Sequence, residues 1–396
     1  MLKSKTIVLG VCGSIAAYKI ASLASMLVKR HADVHVIMTR NACNFITPTT
    51  FETLTGNKCL VDTFDRNFEF QVEHVALAKK ADLFLIAPAT ANIIGKIANG
   101  ICDDMLTTTV FATKAPVVIS PAMNTGMWEN HILQDNISKL KKFGYGFVEP
   151  DSGRLACGDT GCGKMPAETV LLEHVELAVG MEKDMAGKKV LVTAGPTQEA
   201  IDPVRYITNY SSGKMGYAIA KVAAMRGADV ILVSGPVSIT PFVGVDKIDV
   251  VSAADMFNAV TANSDDCDII IMCSAVADYT PAEYSEQKMK KSDADLSISL
   301  SRTQDILKYL GEHKRKGQKI VGFSMETENL IENSRKKLEK KNADLICANS
   351  INSKDTGFGA DTNQVTLISA TATKELPLCS KEETAFLILQ HILTTS

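Results

Sequence analysis

Short runs rich in Val, Ile and Leu alternate along this chain with longer segments whose apolar residues recur at helical spacing. That alternation predicts parallel sheets covered on both faces, because a strand buried on both sides is apolar throughout while a covering helix keeps one wet face. The runs predict strands at Thr6–Val11, Val34–Met38, Leu83–Ala87 and Val117–Ser120 in the first half. In the second half they predict strands at Lys189–Thr193, Val230–Ser234, Ile248–Val251, Ile269–Cys273, Ile320–Phe323, Asp344–Ala348 and Val365–Ile368. A polar step from Glu182 to Lys188 separates the two series and places a domain boundary near residue 185, giving units 1–184 and 185–396. Each is expected to be an α/β domain on a mainly parallel, Rossmann-like sheet.

Composition sharpens this picture mostly by exclusion. No apolar run reaches the length of a membrane span, and Met1 to Thr6 leads straight into a strand, so a cytoplasmic protein with no membrane partner is expected. A formal net charge of -3 argues against a nucleic-acid surface while leaving room for basic pockets. The ten cysteines are scattered and mostly lie in apolar runs, the pattern of reduced core thiols. Cys157 and Cys162 sit close together among glycines, but with no second Cys/His pair nearby they make a weak zinc site. The segment Pro281–Ser299 is the long polar connection, expected to be mobile.

Candidate chemistry lies in the turns after the strands, the edge at which open parallel sheets bind ligands. In the first half these turns contain Gly13 and Ser14, with Ser14 as the expected cap of the next helix; then Thr39; then Thr90, Ala91 and Asn92; then Ala122, Met123 and Asn124 leading to Trp128. In the second half the run Thr193–Gly216 passes from strand through a Gly/Ser/Thr-rich turn into a helix, the geometry that presents backbone N–H groups to phosphate. It is neither a Walker A loop, since Gly213 and Lys214 are followed by Met215, nor a dinucleotide fingerprint, since Pro196 follows Gly195. By themselves, Lys288, Lys290 and Lys291 read as a solvated charge run, and Lys337 and Lys341 as part of a basic helix stripe with Arg335, Lys336 and Lys340.

The run 193–216 resembles the signature of the phosphopantothenate-cysteine ligases. Ser274–Tyr279, Lys288–Lys291, Gly322–Thr327 and Asp344–Asn349 follow in that family's order, with Met289 and Ser324-Met325 as mild departures. The resemblance implies Mg²⁺ and CTP, with Asp278, Lys288, Asp305, Ile306, Phe323, Lys337 and Lys341 on the nucleotide and Asp278 also on the metal. It further implies that Lys288 stabilises developing charge, that Asn209 holds an acyl-cytidylate attacked by L-cysteine, and that Arg205, Asn209, Ser211, Ser212 and Gly213 bind 4'-phosphopantothenate.

The first half, through Gln71–Leu77, Ala87–Asn92 and Pro121–Trp128, resembles the flavin-dependent cysteine decarboxylases, specifically phosphopantothenoylcysteine decarboxylase. What that implies is a flavodoxin-like flavoprotein domain with FMN held by Gly13, Ser14, Thr39, Thr90, Ala91, Asn92 and Ala122. It also implies catalysis by His74, Asn124 on the substrate carboxylate, and Cys157 as a proton donor on a mobile Gly-flanked flap. A cysteine carboxylate needs such help, because it has no electron sink until its thiol is oxidised to a thioaldehyde. Cys162 departs from the family pattern and could pair with Cys157 under oxidation. Together the halves imply a bifunctional enzyme of coenzyme A biosynthesis, a homo-oligomer with trimeric decarboxylase and dimeric ligase halves. The rivals are a cysteine decarboxylase with an inactive partner domain, and a catalytically silent regulatory scaffold.

Overall fold

The computed structural model describes residues 2–64, 73–156, 158–290, 297–326, 329–350 and 360–395. They form two compact units, Met1–Met181 and Glu182–Ser396.

The first unit runs β1 (Thr6–Val11), α1 (Ala17–Lys29), β2 (Asp33–Met38), α2 (Pro48–Thr55), α3 (Glu73–Lys80), β3 (Leu83–Ala89), α4 (Ala91–Ala98) and α5 (Met105–Ala112). It continues through β4 (Val117–Pro121), α6 (Thr125–Trp128), α7 (His131–Lys142), β5 (Gly146–Phe147), β6 (Asp151–Arg154), β7 (Thr160–Lys164) and α8 (Glu168–Val179). The five sheet strands are parallel in the order β2-β1-β3-β4-β5, the flavodoxin-like order expected. Every residue of β1 is buried: Ile7 and Leu9 pack with α1 and α8 on one face, Val8 with α4 and α5 on the other. That two-sided burial is why the strand reads as an unbroken apolar run.

The order reverses between β1 and β3, so the turns after them diverge to opposite faces and leave a crevice. One expectation is corrected here. Ser14 does not cap α1; Ala16 occupies that position without a side-chain bond, and Ser14 Oγ instead accepts from the Ala16 N–H at 3.4 Å. The antiparallel β6–β7 hairpin is not legible in the sequence, since its polar, Gly-rich strands carry no apolar period.

The second unit opens with β8 (Lys189–Ala194), β9 (Gln198–Ala200), β10 (Tyr206–Thr208), α9 (Lys214–Met225), β11 (Asp229–Ser234), β12 (Val245–Asp249), α10 (Ala253–Ser264) and β13 (Ile269–Met272). Then come β14 (Tyr279–Pro281), β15 (Leu300–Arg302), α11 (Ile306–Glu312), β16 (Lys319–Glu326), α12 (Leu330–Lys340) and β17 (Leu345–Ser350). The chain closes with β18 (Thr362–Asn363), β19 (Val365–Ile368), β20 (Thr373–Glu375), β21 (Cys379–Ser380) and α13 (Lys381–Thr394). The main sheet is ordered β12-β11-β8-β13-β16-β17-β19-β20, a Rossmann-like arrangement whose switch point lies between β8 and β13. The six strands β12, β11, β8, β13, β16 and β17 are parallel and β19 and β20 antiparallel, so the sheet is mainly parallel as expected.

One sequence reading is corrected in this unit. Strand β12 begins at Val245 and ends at Asp249, earlier than the apolar run Ile248–Val251, because an edge strand paired only to β11 needs one partly buried face. The polar connection 281–299 is tied at its ends, where β14 and β15 pair antiparallel and Ala282 N–H donates to Ser299 O at 2.9 Å, while residues 291–296 within it, Lys291 included, lie outside the described residues.

Helix α13 docks on α9 through Arg226, which is 1% exposed. Its guanidinium donates to both Asp184 oxygens (2.8 and 2.5 Å) and to Gln390 Oε1 (3.0 Å), and lies over the Phe386 ring. Removing one partner of a buried pair leaves a charge uncompensated; because Asp184 is partly in water, we expect Asp184→Ala to cost about 1–3 kcal/mol rather than the full buried-pair penalty. Arg226 holds the Asp184 carboxyl below its ordinary pKa. The stabilisation is therefore complete above the unfolded carboxylate pKa of about 4 and is lost as pH falls through the lower native value. Differential scanning calorimetry of wild type and variant across that range checks both points.

Candidate functional sites

In the first unit a cleft of about 910 Å³ opens at the switch point, lined by Gly13, Thr39, Thr90, Ala91 and Asn92, five of the seven predicted flavin contacts. Gly13 is required by the approach of the next turn: a Cβ there would lie 2.6 Å from Asn41 Cβ. Thr90 caps α4, its Oγ1 accepting from Ile93 N–H at 3.4 Å, and residues 90–93 at the positive end of that helix line the cleft. Such a terminus suits a phosphate, and the cleft's size suits a cofactor. Cys12 also lines it, but burial pushes that thiol up to about 12, leaving it protonated and inert. Arg40, in the turn that carries Thr39, pairs with Asp62 at 2.6 Å on the same wall. Sequence reading missed Lys96, paired with Asp103 (2.7 Å) and Asp104 (3.2 Å), which no local motif marks.

Ser14, Ala122 and Asn124 line a second, more apolar cleft of about 400 Å³ with Arg154, Leu155 and Lys164 of the hairpin segment. Asn124 is fixed from two sides. Its Oδ1 caps α6 by accepting from Gly126 N–H at 2.8 Å, and its Nδ2 donates to Asp159 Oδ2 at 2.9 Å. The β6–β7 hairpin thereby closes on the turn after β4, reinforced by the Met123 N–H to Gly163 O bond at 3.0 Å. Two hairpin glycines serve close approach rather than looseness. A Cβ on Gly161 would fall 2.6 Å from Thr125 Oγ1, and one on Gly163 would fall 2.3 Å from Met123 O. His74 is half-buried in the first turn of α3 and lines neither cleft. Cys157 lies outside the described residues, while Cys162 donates to Pro150 O at 3.5 Å.

In the second unit two clefts meet at the switch point. One, of about 460 Å³, is lined by Asp278, Asp305, Ile306, Phe323, Lys337 and Lys341, six of the predicted nucleotide contacts. The other, of about 350 Å³, is lined by Asn209, Ser211, Ser212 and Gly213. They share Ser274, Val276, Asp278, Phe323 and Lys337 as a common wall. The wall is held by the end of β8 and the turn after it: buried Thr193 Oγ1 accepts from the N–H groups of Cys273 (3.0 Å) and Ser274 (3.1 Å), and Thr197 Oγ1 accepts from Ala277 N–H at 3.0 Å. Asn209 Nδ2 donates to Ala275 O at 3.0 Å, and Gly213 caps α9 with a positive φ of 78° that favours glycine.

The lysine stripe of α12 divides. Lys337 donates to Phe323 O at 3.1 Å and Lys341 pairs with Asp305 in the cleft, whereas Lys336 pairs with Glu332 and Arg335 donates to Thr373 outside it. Burial lowers the Lys341 pKa against the opposing pull of Asp278. Among the described residues no group of three or more His, Cys, Asp or Glu side chains could hold a metal ion. Asp278 and Asp305 are nonetheless carboxylates in one cleft, enough for a Mg²⁺ that keeps its waters and binds phosphate oxygens. Two expected residues lie elsewhere: Lys288 is exposed, and Arg205 is engaged with Asp202; neither lines a cleft. Sequence reading missed Lys381, 8% exposed on the wall of the Ser211–Gly213 cleft, its pKa lowered by burial and then by Lys214. A capping box of Ser380 and Glu383 starts helix α13, and no local feature of the sequence marks Lys381 as a cleft residue.

Two protein families match. The one described as Flavoprotein covers residues 1–179, and the one described as DNA/pantothenate metabolism flavoprotein C-terminal domain covers residues 185–395. The class is thus a flavoprotein with a pantothenate-metabolism domain appended. The Coenzyme A biosynthesis bifunctional protein CoaBC of Bacillus subtilis is 49% identical over 400 residues, spanning 100% of this chain and 98% of that protein. Its counterpart in Escherichia coli is 41% identical, spanning 99% and 98%. The solved C-terminal domain of a CoaBC protein is 46% identical, covering 52% of this chain and 95% of that one at a TM-score of 0.46. The chain belongs to the family of bifunctional coenzyme A biosynthesis proteins. Among the described residues no helix is long and apolar enough to cross a membrane.

Proposed function

We propose that residues 185–396 join 4'-phosphopantothenate to L-cysteine with CTP as the activating cosubstrate. Residues 1–184, carrying FMN, decarboxylate the product to 4'-phosphopantetheine. The observation that carries the reading is the shared wall of the two clefts in the second unit. Activating a carboxylate with a nucleotide requires the acyl oxygen to meet the α-phosphate, and a common wall of Asp278, Phe323 and Lys337 is where ligands of adjoining clefts would meet.

In this reading Ser211, Ser212 and Gly213 seat the phosphate of the pantothenate at the N-terminus of α9. Lys337 and Lys341 neutralise triphosphate charge, and Asp278 holds Mg²⁺. Asn209 orients the acyl-cytidylate for attack by cysteine, and Lys288 stabilises the charge that develops when pyrophosphate leaves.

In the first unit Thr39 and the Thr90–Asn92 turn hold FMN, whose chemistry is to take a hydride from the substrate and return it. Asn124 orients the substrate carboxylate, and the hairpin bearing Leu155 excludes water from it. His74 and Cys157 act by resemblance as the acid–base groups. The position of His74 outside both clefts supports a homo-oligomer in which a second copy completes the site. So do Ile15 and Tyr18, 55% and 60% exposed on the Asn124 cleft. The expected assembly is trimeric through the first units and dimeric through the second.

The test incubates the full chain with 4'-phosphopantothenate, L-cysteine, Mg²⁺ and either CTP or ATP, and follows pyrophosphate and carbon dioxide separately. Both products with CTP support the reading. Pyrophosphate alone would confine activity to the ligase unit, and neither product from a colourless protein would sink it.

A further inference from the structure

Arg205 and Asp202 occupy the turn between β9 and β10, which Ile201 closes by donating its N–H to Arg205 O at 2.8 Å. Asp202 is 2% exposed. One of its oxygens accepts from the N–H groups of Val204 (2.8 Å) and Arg205 (2.9 Å), and the other from the Arg205 guanidinium at 3.0 and 2.5 Å. This second oxygen also accepts from Met289 N–H at 3.1 Å, while Arg205 Nη2 donates to Met289 O at 2.9 Å. The ion pair therefore grips Met289 through both its backbone donor and its backbone acceptor, and Met289 adjoins Lys288. Four residues earlier the same segment is tied again, Ser285 N–H donating to Ile201 O at 3.0 Å.

The turn has a second connection. Strand β10 leads directly into Asn209, which binds Ala275 O at the cleft. We infer that Asp202 and Arg205 form a positioning pair for the ligase reaction, fixing the segment that carries Lys288 to the hairpin that delivers Asn209. Arg205 thus acts through Lys288 rather than on substrate, and a charge far from Asn209 in sequence is held in register with it. A buried carboxylate with five incoming hydrogen bonds is rigid, and rigidity is what a charge-stabilising lysine on an exposed segment lacks. The inference rests on the role proposed above for Lys288.

The test uses the full chain with Asp202→Asn, Arg205→Lys and Lys288→Ala. The Asn variant keeps the shape but loses the charge, and the Lys variant keeps the charge but loses the planar fork. Pyrophosphate release from 4'-phosphopantothenate and CTP is expected to lose kcat on the order of 100-fold in both pair variants, the usual effect of a misplaced group. KM for CTP should hold within about threefold, a change worth under 1 kcal/mol, because the cleft residues are untouched. Decarboxylation of supplied 4'-phosphopantothenoylcysteine by the same polypeptides should be unchanged. Trypsin should cut after Lys288 and Lys290 faster in the pair variants than in wild type, a readout of local opening. Unchanged kcat in the pair variants beside an inactive Lys288→Ala would overturn the positioning role alone. A rise in KM for 4'-phosphopantothenate with kcat kept would also overturn it and make Arg205 a substrate ligand. Full ligase activity in Lys288→Ala would remove the Lys288 reading and this inference with it.

Discussion

Gly235→Ala is expected to slow the ligase reaction on the order of 100-fold and leave decarboxylation intact. A Cβ at Gly235 would stand 1.8 Å from Pro196 O, and an ordinary carbon–oxygen contact needs about 3.3 Å, so roughly 1.5 Å of backbone displacement must follow. The displaced atoms belong to the turn after β8. Its Thr197 donates its N–H to Ala275 O at 3.2 Å and holds Ala277 N–H through Oγ1, so the wall shared by the two clefts moves with it. A shift of about 1 Å at such a wall costs on the order of 100-fold in rate, and overpacking of this kind costs about 1–3 kcal/mol of stability. Pyrophosphate release and carbon dioxide release from the purified variant, each with its own substrate supplied, measure the split. Retention of ligase activity would show that the 195–197 turn does not hold the wall.

Gly163→Ala should produce the mirror image. Its φ of 133° lies where side chains are strained by about 1–3 kcal/mol, and its Cβ would meet Met123 O at 2.3 Å. Both effects push β7 away from the turn that carries Asn124, straining the Met123 N–H to Gly163 O bond and, with it, the hydrogen bond from Asn124 to Asp159. Carbon dioxide release is expected to fall on the order of 100-fold as the substrate carboxylate loses its orientation. Flavin absorbance should persist, because Gly13, Thr39 and Thr90 line a different cleft, and ligase activity should be unaltered. Loss of flavin in this variant would mean instead that the hairpin holds the cofactor.

These two glycines also mark how far reading the sequence reaches. Gly163 reads as part of a loose, mobile flap, and Gly235 carries no signal at all. A requirement for close approach is invisible until the opposing backbone is in place. The flavin-side turns are legible because each follows an apolar strand run, and strand ends gather at one edge of a parallel sheet whatever the strand order. His74 is legible as a residue type in a family motif, yet it does not reach either cleft of its own unit.

By itself, the sequence determined the two α/β units, the strand-to-turn positions that gather at each sheet edge, and the family to which the turns belong. Those features follow from local periods of apolar residues and from short runs of fixed residues, both contained in a few tens of positions. Only the tertiary structure decided which turns meet. The order β8-β13-β16 brings Ser274 and Phe323 to one wall held by buried Thr193, while the folded unit separates Lys337 and Lys341 from Arg335, Lys336 and Lys340 and adds Lys381 from the far C-terminal helix. It also turned Arg205 away from the clefts and onto Asp202 and Met289. Strand order and side-chain pairing across such separations are set by packing and hydrogen-bond satisfaction over the whole unit, for which no stretch of neighbouring residues carries the signal.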